Sequence, residues 1–264
     1  MQLFDSFPIG ALDQVVPFLL VLTRVAGLFS AIPMFGGRIV PNRVKTPLFL
    51  TLAILIYPIV KPLVHVPPAN DVISLGLLVI SEMLIGITLG FLAQIIFAAV
   101  EFCGNQVGMQ IGLSMASLFD PNTQASVPTM AVFQGALATL VFLALDVHHV
   151  FIRGIVESYR LVPIGSWHTS PNLYKMIVEA SSGVLVIAVK LAAPVAVALL
   201  ATSVVLGIVA RAFPQMNVFM VSMPLNIGVG LLILGLSLPV FFRVLQGAFG
   251  TLSQQMIALF RLLA

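Results

Sequence analysis

The chain has 264 residues, 60% of them hydrophobic and only 8% charged, and its mean hydropathy is +1.15. Soluble domains carry roughly 25% charged residues, so an ordinary water-soluble fold is excluded and the chain belongs in a bilayer or in a large apolar assembly. The net charge of +3 contains no basic cluster longer than Arg38, Arg43 and Lys45, which reads as an interfacial loop and not as a nucleic-acid surface, and the lone Cys103 excludes an internal disulfide or a Cys-rich metal centre.

The amino terminus, MQLFDSFPIGALDQ, places Asp5 and Asp13 before any base, unlike the basic start of a secretory signal. Apolar runs then cover Val15 to Phe35, Thr46 to Val60 and Val72 to Val100. Further on, 25 residues between Asp120 and Asp146, 20 between Lys190 and Arg211 and 31 between Arg211 and Arg243 carry no acid or strong base. These stretches match or exceed the roughly 20 residues that cross about 30 Å of hydrocarbon as a helix. The expected fold is an all-α integral membrane or assembly protein, with about six long hydrophobic helices arranged as packed helical hairpins, some kinked or broken. Basic residues do not orient it. For six alternating crossings, Arg38, Arg43, Lys45 and Arg211 fall on one side, and Lys61, Arg153, Arg160, Lys175, Arg243 and Arg261 on the other. So weak a bias fits helices that pack as hairpins within an assembly.

The segment from Val72 to Leu118 is 47 residues long without a proline. One straight helix of that length would reach roughly 70 Å, so it must bend, break or leave the bilayer. Gly104, Gly108, Gly112 and Ala116 repeat every fourth residue as a ridge that lets another helix approach closely, and Gly86 and Gly90 repeat the device earlier. Gln106, Gln110, Ser114 and Ser117 form a second row on one helical face. That row is either a set of interhelical hydrogen bonds or the wall of a water-accessible lumen, since irregular backbone at membrane depth survives only in protein or beside a cavity. The neighbouring residues favour the lumen: Met109, Met115, Leu118 and Phe119 are bulky apolar residues around a breaker, Asp120, Pro121 and Asn122, and such residues are suited to closing a narrow passage.

Catalysis finds little support. His148 and His149 are adjacent and point about 100° apart on a helix, unlike a metal-binding i, i+4 pair. His65 and His168 lie in Pro-rich connections without a neighbouring carboxylate or cysteine, and no nucleophile elbow or P-loop is present. No cofactor or metal site is expected. Two charges, Glu82 and Lys190, lie deep in apolar sequence, where such groups face the bundle interior and pair. A Glu82 to Lys190 contact is the structural reading, a proton relay the functional one.

The last third has its own plan. Lys175 to Ala210 and Val218 to about Gly250 are joined by ARAFPQMN, residues 210 to 217, in which Pro214 interrupts helix formation. The short connector makes the two segments antiparallel neighbours. Pro194, Pro224 and Pro239 predict kinks, and Gly228, Gly230 and Gly235 predict close contacts.

TRVAGLFSAIPMFGG (23 to 37), GMQIGLSMASLFDP (108 to 121) and ARAFPQMNVFMVSMPLNIGVGLL (210 to 232) resemble the R-type subunit family of the flagellar type III export gate, over nearly the whole chain. A homologous subunit exists in virulence injectisomes. The resemblance implies assembly with P-type and Q-type gate subunits in a hetero-oligomer at the bacterial inner membrane, in the flagellar basal body, with unfolded exported proteins as the cargo. It implies a P-like front over residues 1–172 and a Q-like hairpin over 173–264. It also implies a central plug loop over 109–129, in which Met109, Met115, Leu118 and Phe119 seal and Asp120, Pro121 and Asn122 set the turn. Arg211, Phe213, Pro214, Gln215, Met216 and Asn217 would form a cytoplasm-facing tip in contact with a B-type switch subunit. A small-solute or ion carrier is the rival reading, but it calls for two similar halves with interrupted segments, and no convincing internal repeat is found. A purely structural scaffold is the third, and would tolerate polar residues at Met115 and Phe119.

Overall fold

The computed structural model describes residues 9–36, 40–67, 71–113, 128–167, 171–215 and 217–263, and among them every regular element is helical. In chain order these are α1 (Ile9–Ala31), the short α2 (Pro33–Gly36), α3 (Asn42–Val60), α4 (Val72–Ile111), α5 (Thr129–Ala144), α6 (Val147–Leu161), α7 (Pro171–Ala212), α8 (Val218–Gly250) and α9 (Leu252–Leu263). Four stretches are long and apolar enough to cross a membrane, namely Asn42–Leu63, Val72–Ile111, Asn172–Ala212 and Val218–Leu263, and the bent pair α5 and α6 makes a fifth if counted as one broken span. The all-α membrane fold read from the sequence is the fold observed.

The proline-free run from Val72 does form one helix, of 40 residues, about 60 Å at 1.5 Å per residue. It stops at Gly112, whose φ of 92° is a left-handed conformation that glycine adopts without a Cβ penalty. Gly112 therefore ends the helix, and a Cβ on it would meet nothing within 4 Å among the described residues, so the packing contact expected of it is not seen among them. The break between α5 and α6 has a similar cause. Asp146 takes a left-handed φ of 53°, which Asp tolerates better than most residues, and its carbonyl accepts from His149 N–H at 3.0 Å to open α6. Pro194, Pro224 and Pro239 sit inside helices that continue through them.

The chain forms two compact units. One comprises residues 1–94, 146–180 and 251–264, the other 95–145 and 181–250. In the first unit α1 crosses α4 backbone to backbone. A Cβ on Gly27 would lie 2.7 Å from the Met83 carbonyl oxygen, one on Gly90 2.5 Å from that of Leu28, and one on Gly86 would strike that of Arg24. In a membrane protein, where lipid is as apolar as the side chains, such close approach is the main source of helix association. Phe29 joins α1 to α3 by stacking on Phe49 at 6.2 Å. Helices α6 and α9 bury complementary stripes, Val147, Phe151, Ile155 and Tyr159 on one and Leu252, Met256, Leu259, Phe260 and Leu263 on the other, spaced as one face of a 3.6-residue period. Where they meet, a Cβ on Gly154 would touch only the terminal methyl of Met256. Met is flexible and can give way, so Gly154→Ala is expected to change stability by less than about 1 kcal/mol, whereas Gly86→Ala, which meets backbone, is expected to cost about 1–3 kcal/mol. Thermal unfolding of the two variants in detergent checks the contrast.

In the second unit Phe97, Phe142 and Phe249 form a closed triangle with ring centroids 5.7 to 6.1 Å apart. Ile111, at the last turn of α4, packs on Gly230 of α8, where a Cβ would be 2.8 Å from the Ile111 Cδ1. Gly230 thus makes the close contact expected of it, while Gly228 and Gly235 face open space.

Candidate functional site

The polar row and the glycine ridge run together at the carboxyl end of α4. Gly104 lies against Ala131 of α5, where a Cβ would stand 2.8 Å from the Ala131 nitrogen, and a Cβ on Gly108 would be 3.4 Å from that of Met130. The two helices are thus clamped at 104/131 and 108/130, on either side of residues 114–127. Gln106 and Gln110 are half-buried and Met109 is 59% exposed. Gln110 Oε1, together with Gln134 Oε1 on α5 and Asn226 Oδ1 on α8, is buried without a hydrogen-bond partner among the described residues. Buried amide oxygens left unpaired cost about 1–3 kcal/mol each, which an apolar packing role would not call for. Ser114, Ser117, Met115, Leu118, Phe119, Asp120, Pro121 and Asn122 lie outside the described residues.

The connector between α7 and α8 is closed by backbone and side-chain hydrogen bonds at both ends. Helix α7 ends at Ala212, Phe213 N–H closes the last turn on the Val209 carbonyl at 2.9 Å, and Asn217 caps α8, its Oδ1 accepting from Met220 N–H at 3.4 Å. Arg211, Phe213, Pro214, Gln215 and Asn217 are all exposed, Phe213 by 63%. Met216 is outside the described residues.

The buried charge is differently partnered from the expectation. Glu82 and Arg24 are both fully buried and meet as a two-point pair, Arg24 Nε to Glu82 Oε2 at 2.5 Å and Arg24 Nη2 to Glu82 Oε1 at 2.9 Å. Arg24 Nη1 donates to Ser158 Oγ at 2.9 Å, and both Nη atoms donate to the Val162 carbonyl at 3.2 Å. The guanidinium also lies 4.0 Å from the centre of the Tyr159 ring. All five guanidinium donors are used, the α6 terminus supplies the negative end of its dipole, and the ring face adds a cation–π contact. Glu82 thus ties α4 to α1 and α6, and Lys190, exposed on α7, is not its partner. The missed signal was in plain view: Arg24 is the single charged residue of the Val15 to Phe35 run.

The histidine pair also departs from its expectation. His148 and His149 do not diverge; their ring centroids are 4.1 Å apart, and His149 Nδ1 and His148 Nε2 lie 3.3 and 3.9 Å from Asp146 Oδ1. A rotation of about 100° per residue separates the Cβ atoms, but two side-chain torsions bring the rings back together.

Comparison with known proteins bears on the whole chain. Residues 15–252 match the family described as bacterial export proteins, family 1. The chain is similar to the flagellar biosynthetic protein FliR of Bacillus subtilis (strain 168), 32% identical over 244 residues that cover 90% of this chain and 92% of the relative. It is similar also to FliR of Escherichia coli (strain K12), 33% identical over 222 residues with 83% and 82% covered, and to that of Pectobacterium carotovorum, 32% identical with 90% of both chains covered.

Proposed function

The chain belongs to the bacterial export proteins, family 1, and from that membership we propose that it is a gate subunit of the flagellar protein export apparatus, lining the channel and carrying the segment that closes it. Relatives named for flagellar biosynthesis favour the flagellar system over an injectisome. The observation that carries the reading is the clamp between α4 and α5. The two glycine contacts bring the carboxyl end of α4 against the start of α5, so the described residues that flank 114–127 in sequence stand together, as the two ends of a plug would. Gln106 and Gln110 and the exposed Met109 lie on the last turns of α4, a polar wall with a soft apolar rim.

In this reading Met109, Met115, Leu118 and Phe119 form a seal that yields to an unfolded polypeptide, because flexible Met and aromatic side chains repack around varied sequences. Asp120, Pro121 and Asn122 set the turn, and Ser114 and Ser117 continue the polar wall. Residues 1–172 act as a front related to P-type subunits and 173–264 as a hairpin related to Q-type subunits. The chain assembles with both at the inner membrane of the flagellar basal body, and the exposed tip from Arg211 to Asn217 docks a B-type switch subunit. The role asks for opening and closing, with no bond chemistry by this chain. Deleting Met115 to Asn122 in the native host is expected to raise ion leakage across the inner membrane while the complex still assembles. A tight membrane with normal secretion of flagellar subunits would reduce the stretch to a connector.

A further inference from the structure

The gate reading leaves one group of chemistry-bearing side chains unused. Asp146, His148 and His149 each offer a donor atom, and the three atoms lie within 4.8 Å of one another. The geometry points to a transition-metal site of the zinc class at the start of α6, built from the Asp146 carboxylate and the two imidazoles. A tetrahedral ion with bonds of about 2.0–2.1 Å places neighbouring donors about 3.4 Å apart. The separation of Asp146 Oδ1 from His149 Nδ1, 3.3 Å, already meets that, and that from His148 Nε2, 3.9 Å, is a small side-chain rotation away.

The local backbone produces the convergence. The left-handed Asp146 turns its carboxylate back over the first turn of α6, where it makes no capping hydrogen bond and faces both rings. Two nitrogens and one carboxylate suit Zn2+, Ni2+ or Cu2+, whereas Ca2+ and Mg2+ want all-oxygen shells. Asp146 and His149 are exposed, so the remaining coordination positions open to water and the ion exchanges freely. Arg153, one turn beyond His149 and also exposed, adds positive charge that keeps the affinity modest. A bound ion would pin the first turn of α6 and so fix the point at which the α5 to α6 span is broken.

The test uses the full chain, purified in detergent without a polyhistidine tag and dialysed against Zn2+ from submicromolar to submillimolar concentration, with bound metal measured by elemental analysis. About one saturable equivalent per chain is expected. Loss of a mere outer-shell partner weakens metal sites about 10–100-fold, so removing direct ligands in Asp146→Asn or in His148→Ala with His149→Ala should weaken binding at least as much. Bound Cu2+ should show nitrogen couplings by electron paramagnetic resonance that disappear in the His variant. His65→Gln should change nothing. No saturable uptake by the parent chain, equal uptake by folded Asp146→Asn chain, or competition by equimolar Mg2+ would overturn the site. Should the double His variant fail to fold, Asp146→Asn and His149→Gln, both at exposed side chains, decide the matter.

Discussion

Glu82→Gln in the full chain is expected to lower its stability by about 3–5 kcal/mol, the usual consequence of removing one partner from a buried ion pair. The carboxylate takes two charge-assisted hydrogen bonds from Arg24 in a site with no exposure to solvent. A neutral amide of the same shape offers one acceptor and turns its NH2 group against a guanidinium whose donors are already aimed there. The residual state is a buried cation without a counter-charge, held by one amide oxygen, Ser158 Oγ, the Val162 carbonyl and the Tyr159 face. Arg24→Met strands the opposite charge and should cost a similar amount. The two losses must not add. With Arg24→Met and Glu82→Met together no charge is left uncompensated, and the deficit should shrink to about 1–3 kcal/mol, the cost of a buried carbonyl left without a donor at Val162. Unfolding of Arg24→Met, Glu82→Met and the two together in detergent, followed by circular dichroism, gives the cycle. A double variant as unstable as the sum of the singles would mean that Arg24 and Glu82 are not one unit.

That pair also marks where sequence reasoning stops. A charge inside an apolar run announces that it is buried and paired, because an isolated one is too costly in hydrocarbon. It does not announce its partner. Glu82 and Arg24 are 58 positions apart and meet because Gly27, Gly86 and Gly90 let α1 and α4 touch along their backbones. Lys190 satisfied the same sequence rule and is exposed, since a long side chain near a helix surface can carry its ammonium outward. The helices themselves were legible because composition alone excludes water, and the end of α7 was legible because Pro214 stands at the tip; the end of α4 was not, because Gly112 reads as the next step of a packing ridge. Spacing by fours identifies a face; which member of the row serves as terminator depends on φ, and no residue pattern prints that angle.

The histidines failed for a related reason. Helical periodicity places Cβ atoms, and a rule about i, i+4 pairs is a rule about Cβ atoms. Once Asp146 leaves the helical region of backbone space, its side chain is no longer bound by the period, and the donors converge by torsions downstream of the pattern. By contrast, the relation between the polar row and the clamp could be read ahead of the structure, because Gly104 and Gly108 and the glutamines Gln106 and Gln110 lie on one continuous helix, whose geometry is fixed by its period alone.

Gly104→Val is expected to disable the gate more thoroughly than its size suggests. A Cβ at this position would stand 2.8 Å from the Ala131 nitrogen and 3.0 Å from its Cβ, and neither a backbone atom nor the stub of an alanine can rotate away. The two helices must separate, at a cost of about 1–3 kcal/mol or more, and they separate at the point that holds the ends of residues 114–127 together. If that stretch closes the channel, its seat is lost along with the packing, so leakage should rise and secretion of flagellar subunits should fall even where the chain still accumulates in the membrane. Gly135→Ala is the control on the partner helix: the same loss of a glycine, with nothing within 4 Å of the new Cβ, should be neutral or mildly stabilising, by about 0.5–1 kcal/mol from helix propensity. Leak currents and secretion measured side by side for the two variants separate a seat from a mere contact. A Gly104→Val chain that assembles, holds ions and exports like the parent would show that the clamp positions nothing, and the closing element would have to be sought outside residues 114–127.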